Sequence, residues 1–167
     1  MTQSWDRIYT PHRLEYLRGA NVSDDCPFCA APELNGSDTL DLVAHRGQLA
    51  YVVLNLYPYN AGHLLICPYR HVADYTELTD AERDEIAQLT QESMHTLRAI
   101  SGAQGFNLGM NQGSISGAGI AAHLHQHVVP RWGGDANFMP IIGETKVLPQ
   151  LLTQTRDLLQ EGWISPH

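Results

Sequence analysis

The stretch HLHQHVVP, residues 123–130, places His123, His125 and His127 at every second position and closes on two valines and a proline. Imidazole, with an ordinary pKa of about 6.5, can act near neutral pH as a nucleophile, a proton carrier or a metal ligand. In an extended strand the three rings share one face, while Leu124, Gln126 and Val128 share the other. On a helix, His125 would turn away from its two companions. Val128 and Val129, with the stop at Pro130, favour the strand. Three imidazoles serving only as core would need several buried partners for no packing gain. Two chemical readings therefore compete: a three-histidine metal site, or a nucleophilic histidine oriented by its neighbours.

A second group bears on the choice. Cys26 and Cys29 form CPFC, and His71 follows the apolar run HLLICP in CPYRH. A C-x-x-C pair needs two further ligands to close a tetrahedral zinc site, and histidine is the usual complement. His71 and one member of the triplet would supply them. If that member is His123, then His125 and His127 are left for chemistry. Cys67, inside the apolar run, reads as a small buried hydrophobe.

Composition narrows the partners. The 167 residues suit one domain, read as a core over about residues 26–132 with a helical segment at 1–20 and a helical extension at 145–163. The formal net charge is -8 and Lys146 is the only lysine, so no broad basic surface exists to neutralise a nucleic-acid backbone. No apolar run approaches the roughly 20 residues of a membrane span, and MTQSWDRIYT lacks the pattern of a secretory signal. These features predict a cytoplasmic protein with neither nucleic acid nor membrane as a main partner.

The elements that must position the histidines follow from pattern. TPHRLEYLRG predicts a short helix from Thr10 to Gly19, and CPFCAAPELNGSDT reads as loop or turn. LDLVAHRGQLAYVVLNLYPYNAGHLLICP gives three short strands separated at Arg46-Gly47 and at Pro58 to Gly62. Thr79 and Glu82 form a capping box that opens a long helix, with Ile86, Leu89, Met94, Leu97 and Ile100 at helical spacing and Gly102 beyond it. Strand character resumes at FNLGM and again at the triplet. Pro149 starts a closing helix striped by Leu151, Leu152, Leu158 and Leu159. The fold class is α+β: an antiparallel sheet of about five strands with one long central helix and accessory terminal helices.

Between those last strands lies the glycine-rich MNQGSISGAGI. Gly113, Gly117 and Gly119 would let backbone N–H groups approach phosphate oxygens. Arg131 and Lys146 offer positive charge but read equally well as solvated cations, and Trp132 reads as core.

The motifs together resemble the histidine triad family, whose signature is H-x-H-x-H followed by two apolar residues. HLHQHVV matches it, as does NLYPYNAGHLLICPYRH, in which Asn55 lies eight residues before His63 and His71 eight after. With CPFC, the likeness extends over about residues 26–132. YTPHRLEYL and PRWGGDANF are similar to the actinobacterial branch typified by diadenosine tetraphosphate phosphorylases. The resemblance implies the family's fold as a homodimer and makes His125 the nucleophile attacking an α-phosphate to form a nucleotidyl-imidazole. His127 would bind the phosphate and His63 would support the cluster.

By the same resemblance, Asn55 would hold the ribose, and Asn111, Gln112, Ser116, Gly117 and Gly119 would contribute to the nucleotide site. Cys26, Cys29, His71 and His123 would hold a structural zinc, with no organic cofactor. The implied substrate is an adenine dinucleoside polyphosphate, diadenosine tetraphosphate above all, with water or inorganic phosphate as acceptor. Phosphoramidate hydrolysis and nucleotide sensing are the alternatives. One departure bears on the leaving group. Where many members carry Gly-Gln-Ser or Gly-Gln-Thr, this chain has Gly119-Ile120 in a loop one residue longer, leaving Ser114 and Ser116 as the candidates to replace the missing contacts.

Overall fold

The computed structural model describes residues 26–34, 41–113, 115–135 and 150–165. The expected helix over residues 1–20, and Ser114, Lys146 and Pro149, lie outside them. Among the described residues, one antiparallel sheet contains β1 (Val43–Arg46), β2 (Ala50–Leu54), β3 (Leu64–Pro68), β4 (Gly105–Met110) and β5 (Gln126–Arg131). The strand order is β1-β2-β3-β5-β4. The helices are α1 (Pro27–Ala30), α2 (Asp80–Ser101) and α3 (Leu152–Glu161). The α+β expectation therefore holds, and the segment read as a loop at CPFC contains the short helix α1.

Every residue of β2 and β3 is buried, which explains why AYVVL and LLICP are continuous apolar runs rather than alternating ones. Pairing register separates two faces. Ile66, Gln126 and Val128, with Met110 and Leu108 on β4, look towards α2; Leu65, Gly109 and His127 share the opposite face. Gln126 makes the first assignment concrete, since its Nε2 donates to Thr90 Oγ1 on α2 at 2.6 Å. One face thus carries the long helix and the other carries the histidines.

α2 forms where the capping box predicts. Thr79 accepts from the Glu82 N–H, the Glu82 carboxylate accepts from the Thr79 N–H, and Gly102 ends the helix in the left-handed region. Ile86, Leu89 and Leu97 are buried against the sheet. Glu92, Ser93 and Thr96 are buried as well, which the apolar spacing did not anticipate. The chain after α3 accounts for two of them: Trp163 Nε1 donates to Glu92 at 3.0 Å and the Ile164 N–H donates to Thr96 Oγ1 at 3.0 Å.

α3 covers the β1 edge, with Gln160 Nε2 donating to the Val43 carbonyl at 2.8 Å. Its predicted leucine stripe is broken. Leu159 is fully buried and Leu152 packs against the core, but Leu158 is exposed, as is Leu151, which caps α3 in extended backbone and does not belong to it. No helix among the described residues is long and apolar enough to cross a membrane.

Glu82 also receives Arg70, whose Nε and Nη2 donate to its two oxygens at 2.9 and 2.7 Å. These bonds, with those from Thr79, hold its carboxyl down at about 2. A depressed carboxyl contributes stability that is complete above the unfolded value of about 4.3 and disappears as pH falls through the folded value. Because glutamine can still close the capping box, Glu82→Gln removes mainly the charge. We expect it to cost about 1 kcal/mol at pH 7, since Arg70 is half exposed. The gap between wild type and variant, followed by denaturant unfolding, should close between about pH 4 and pH 2.

Candidate active site and metal cluster

The three histidines do not all lie on a strand. β5 begins only at Gln126, so His123 and His125 occupy the connection just before it and His127 alone sits in the ladder. The expected strand stop also differs, because β5 runs through Pro130 to Arg131. Pairing with β3 reaches no further than Val128, so no neighbour on that side calls for the N–H that proline lacks. The connection is tied down by the Leu124 N–H, which donates to the Val72 carbonyl at 2.7 Å.

His63 stands at the entry to β3, fully buried. Its Nδ1 receives the backbone N–H of Tyr59 at 3.0 Å and lies 3.3 Å from Asn55 Nδ2. The Asn55 Oδ1 accepts the Tyr57 N–H at 2.9 Å, so the nitrogen end of that amide faces His63. A backbone N–H can only donate. His63 Nδ1 is therefore an acceptor, its Nε2 carries the proton, and that proton goes to His127 Nδ1, 2.9 Å away. His127 in turn carries its own proton on Nε2. The chain of three contacts thus makes the last imidazole a hydrogen-bond donor.

His125 has the reverse polarity. Its Nδ1 meets the His123 carbonyl at 2.9 Å, and a carbonyl only accepts, so Nδ1 holds the proton and Nε2 holds a lone pair. Burial lowers the pKa of His125, and the carbonyl offsets this only in part, which keeps the ring neutral near pH 7. The His125 and His127 ring centroids are 5.0 Å apart. A basic nitrogen and an N–H donor therefore sit side by side, the pair needed to attack an electrophile and to steady the negative oxygens around it.

His123 turns elsewhere. Its Nε2–H donates to the Pro68 carbonyl at 2.9 Å, leaving the Nδ1 lone pair 3.4 Å from Cys26 Sγ and 3.5 Å from Cys29 Sγ. His71 Nδ1 completes the group, 3.3 Å from Cys29 Sγ. All four ligand atoms lie within 4.8 Å of one another. Zn–S bonds of about 2.3 Å and Zn–N bonds of about 2.0–2.1 Å at tetrahedral angles put N and S about 3.5 Å apart. The donor set, its spacing and the fixed His123 tautomer all fit zinc. With both His123 nitrogens committed, the triplet does not assemble as a three-histidine metal site.

The glycine-rich loop is partly turned on itself. Gln112 bridges the chain after β3, accepting the Tyr75 N–H at 2.8 Å and donating to the Ala73 carbonyl at 3.2 Å. Ser116 Oγ donates to the Gly113 carbonyl at 2.8 Å. Gly113 and Gly117 have positive φ, which their lack of Cβ permits, whereas Gly119 does not. Asn111 is half-buried where β4 ends. Arg131 is occupied, bonding Asp135 and Asn107. Two residues at the histidine cluster escaped sequence reading. Tyr59 supplies the first N–H of the relay and stacks on His127 at 5.6 Å, while Phe28 packs 4.9 Å from the His125 ring. Their positions, four residues before His63 and inside C-x-x-C, were the available signals.

Residues 41–134 match the family model of the HIT domain. The chain belongs to the histidine triad (HIT) family. Over 165 residues it is 49% identical to an AP-4-A phosphorylase of Mycobacterium tuberculosis, a match covering 94% of this chain and 84% of that protein. Among solved structures, a zinc-bound histidine triad family protein from Mycobacterium smegmatis superposes with a TM-score of 0.65 at 24% identity, covering 83% of this chain and 92% of that one. A hypothetical histidine triad nucleotide-binding protein from Sulfolobus tokodaii gives 0.66 at 24% identity, covering 82% and 91%. These likenesses place the sheet and central helix in the HIT fold. Cys26 and Cys29 lie upstream of the matched HIT segment.

The hydrogen-bond order dictates a spectrum. Long-range ¹H–¹⁵N correlation at pH 7 should show His125 as the Nδ1–H tautomer and both His63 and His127 as Nε2–H. An Nε2–H signature for His125 would reverse the assignment of its basic nitrogen.

Proposed function

We propose that the protein is a dinucleoside polyphosphate enzyme in which His125 Nε2 attacks the α-phosphorus of an adenine dinucleotide such as diadenosine tetraphosphate. The observation that carries this reading is the bond from His125 Nδ1 to the His123 carbonyl, which keeps the proton on Nδ1 and leaves the Nε2 lone pair for attack. The 49% identical AP-4-A phosphorylase supports the substrate class.

In the first step an N–P bond forms and the bond from phosphorus to the bridging oxygen breaks, releasing ATP and leaving adenylyl-His125. In the second, an oxygen of inorganic phosphate attacks the same phosphorus, the N–P bond breaks back to the imidazole, and ADP leaves. Water as acceptor would give AMP instead. Splitting one difficult substitution into two is what a histidine nucleophile contributes. His127 donates its Nε2 proton to the equatorial oxygens, and His63 holds His127 in that tautomer. Asn55 is proposed at the ribose and Asn111, Gln112, Ser116, Gly117 and Gly119 along the phosphates, with the bonds of Gln112 and Ser116 exchanged for ligand contacts on binding.

Cys26, Cys29, His71 and His123 would hold a structural zinc that clamps the chain beside the nucleophile. Reduced thiols of this kind suit the cytoplasm. We take the whole chain, residues 1–167, as one domain acting as a homodimer. Among the described residues β4 is an edge strand with Leu108 49% exposed, which supports an assembly through that side.

His125→Ala and His125→Asn should abolish turnover while retaining nucleotide binding, and His127→Ala should lower kcat about 10²–10³-fold. Product chromatography with diadenosine tetraphosphate should give ATP and ADP when phosphate is present. AMP and ATP at saturating phosphate would make the enzyme a hydrolase, and full activity in a clean His125→Ala preparation would remove the nucleophile.

Purified protein should contain about one zinc per chain by elemental analysis. Cys29→Ser should lower that content and the thermal midpoint together. Unchanged metal content in Cys29→Ser would place the zinc elsewhere.

A further inference from the structure

The Cys26–Cys29 segment reaches the nucleophile by two routes. One is His123, whose ring nitrogen lies among the thiols while its carbonyl receives His125 Nδ1. The other is Phe28, between the two cysteines on α1. Its ring lies 4.9 Å from the His125 ring at a tilt of 40°, and 5.6 Å from the His123 ring at 68°. Its carbonyl accepts the Tyr51 hydroxyl from β2. The residue is thus anchored to the sheet through its backbone and flanked on both sides by candidate metal ligands.

His125 needs such a neighbour. The hydrogen bond at Nδ1 restrains rotation about the bond to Cβ only within its own angular tolerance, and within that range the ring plane can still tilt and carry Nε2 off line. His127 meets it only edge-on, at 68°. Phe28 adds an apolar surface beside the ring, 4.9 Å away between centroids.

We propose that Phe28 is a positioning residue for His125, its ring fixing the imidazole plane so that Nδ1 stays on the His123 carbonyl and Nε2 stays aimed at phosphorus. This rests on the reading of His125 as the nucleophile. The effect belongs in the chemical step, since Phe28 contacts the attacking ring and not the substrate-binding groups named above. A displacement of about 1 Å in an attacking group can cost about 10²-fold in rate.

The experiment compares wild type, Phe28→Ala and Phe28→Leu, each at verified equal zinc content. It measures steady-state kcat and KM with diadenosine tetraphosphate and phosphate, the rate of acid-labile nucleotidyl-protein formation in a single turnover, and the His125 tautomer spectrum. Phe28→Ala should lower kcat and the adduct rate about 10–100-fold with KM within about threefold, and its His125 Nδ1–H signal should broaden or split. Phe28→Leu, which restores apolar bulk and guards against collapse of the turn, should fall between the two. A kcat within twofold of wild type in both variants, or a change in KM alone, would overturn the proposal. If wild type itself forms no adduct, the nucleophile reading fails independently. An unaltered His125 spectrum in Phe28→Ala would then overturn the positioning role by itself.

Discussion

The hydrogen bond from His125 Nδ1 to the His123 carbonyl constrains most of what surrounds it. In a regular strand, carbonyls lie in the plane of the sheet and side chains stand perpendicular to it, so a ring cannot reach the carbonyl two residues back. For this bond to exist, the chain must leave extended ladder geometry before β5 starts. It does so between His123 and His125, and the cost of an unpaired segment is offset by the Leu124 bond to Val72 and the His123 bond to Pro68. The same bend that supplies the carbonyl turns the His123 ring towards the cysteines.

The remaining imidazoles follow from donor and acceptor chemistry. Backbone groups set the ends of the network because their roles cannot change: the Tyr59 N–H makes His63 Nδ1 an acceptor, and the His123 carbonyl makes His125 Nδ1 a donor. Between those fixed ends the neutral side chains have one consistent arrangement, which puts a lone pair on His125 and a proton on His127. Three stretches far apart in sequence meet here, at residues 55–63, 123–127 and 26–29. The sheet brings the first two together by pairing β3 with β5.

The division of the sheet into two faces explains where polarity could be tolerated. The face towards α2 is largely apolar, and its polar members have partners: Gln126 bonds Thr90, and His45 stacks on Trp163 at 4.4 Å. The histidine face buries imidazoles, and His63, His123 and His125 each have a named hydrogen-bond partner there. At the sheet edges the solutions differ. β1 is covered by α3, whereas β4 pairs with no further strand on its outer side among the described residues and has a half-exposed Leu108.

Much of this was legible in residue order. The capping box of Thr79 and Glu82, the left-handed Gly102, the meander through Val43 to Pro68, and the pairing of CPFC with His71 and a triplet histidine are all local or spacing signals, and the structure realises them. What residue order did not reveal depends on neighbours supplied by other segments. His123 and His125 left the strand because distant carbonyls at Val72 and Pro68 capture that connection. Pro130 stayed in β5 because β3 pairing had already ended. Glu92 and Thr96 became buried because the chain after α3 docks on them, and Gln112 was drawn to Ala73 and Tyr75. Sequence alone determined which groups can donate, accept or bind metal, since that is fixed by covalent chemistry. Tertiary structure decided which nitrogen of each imidazole carries the proton, because that depends on the partner each ring meets.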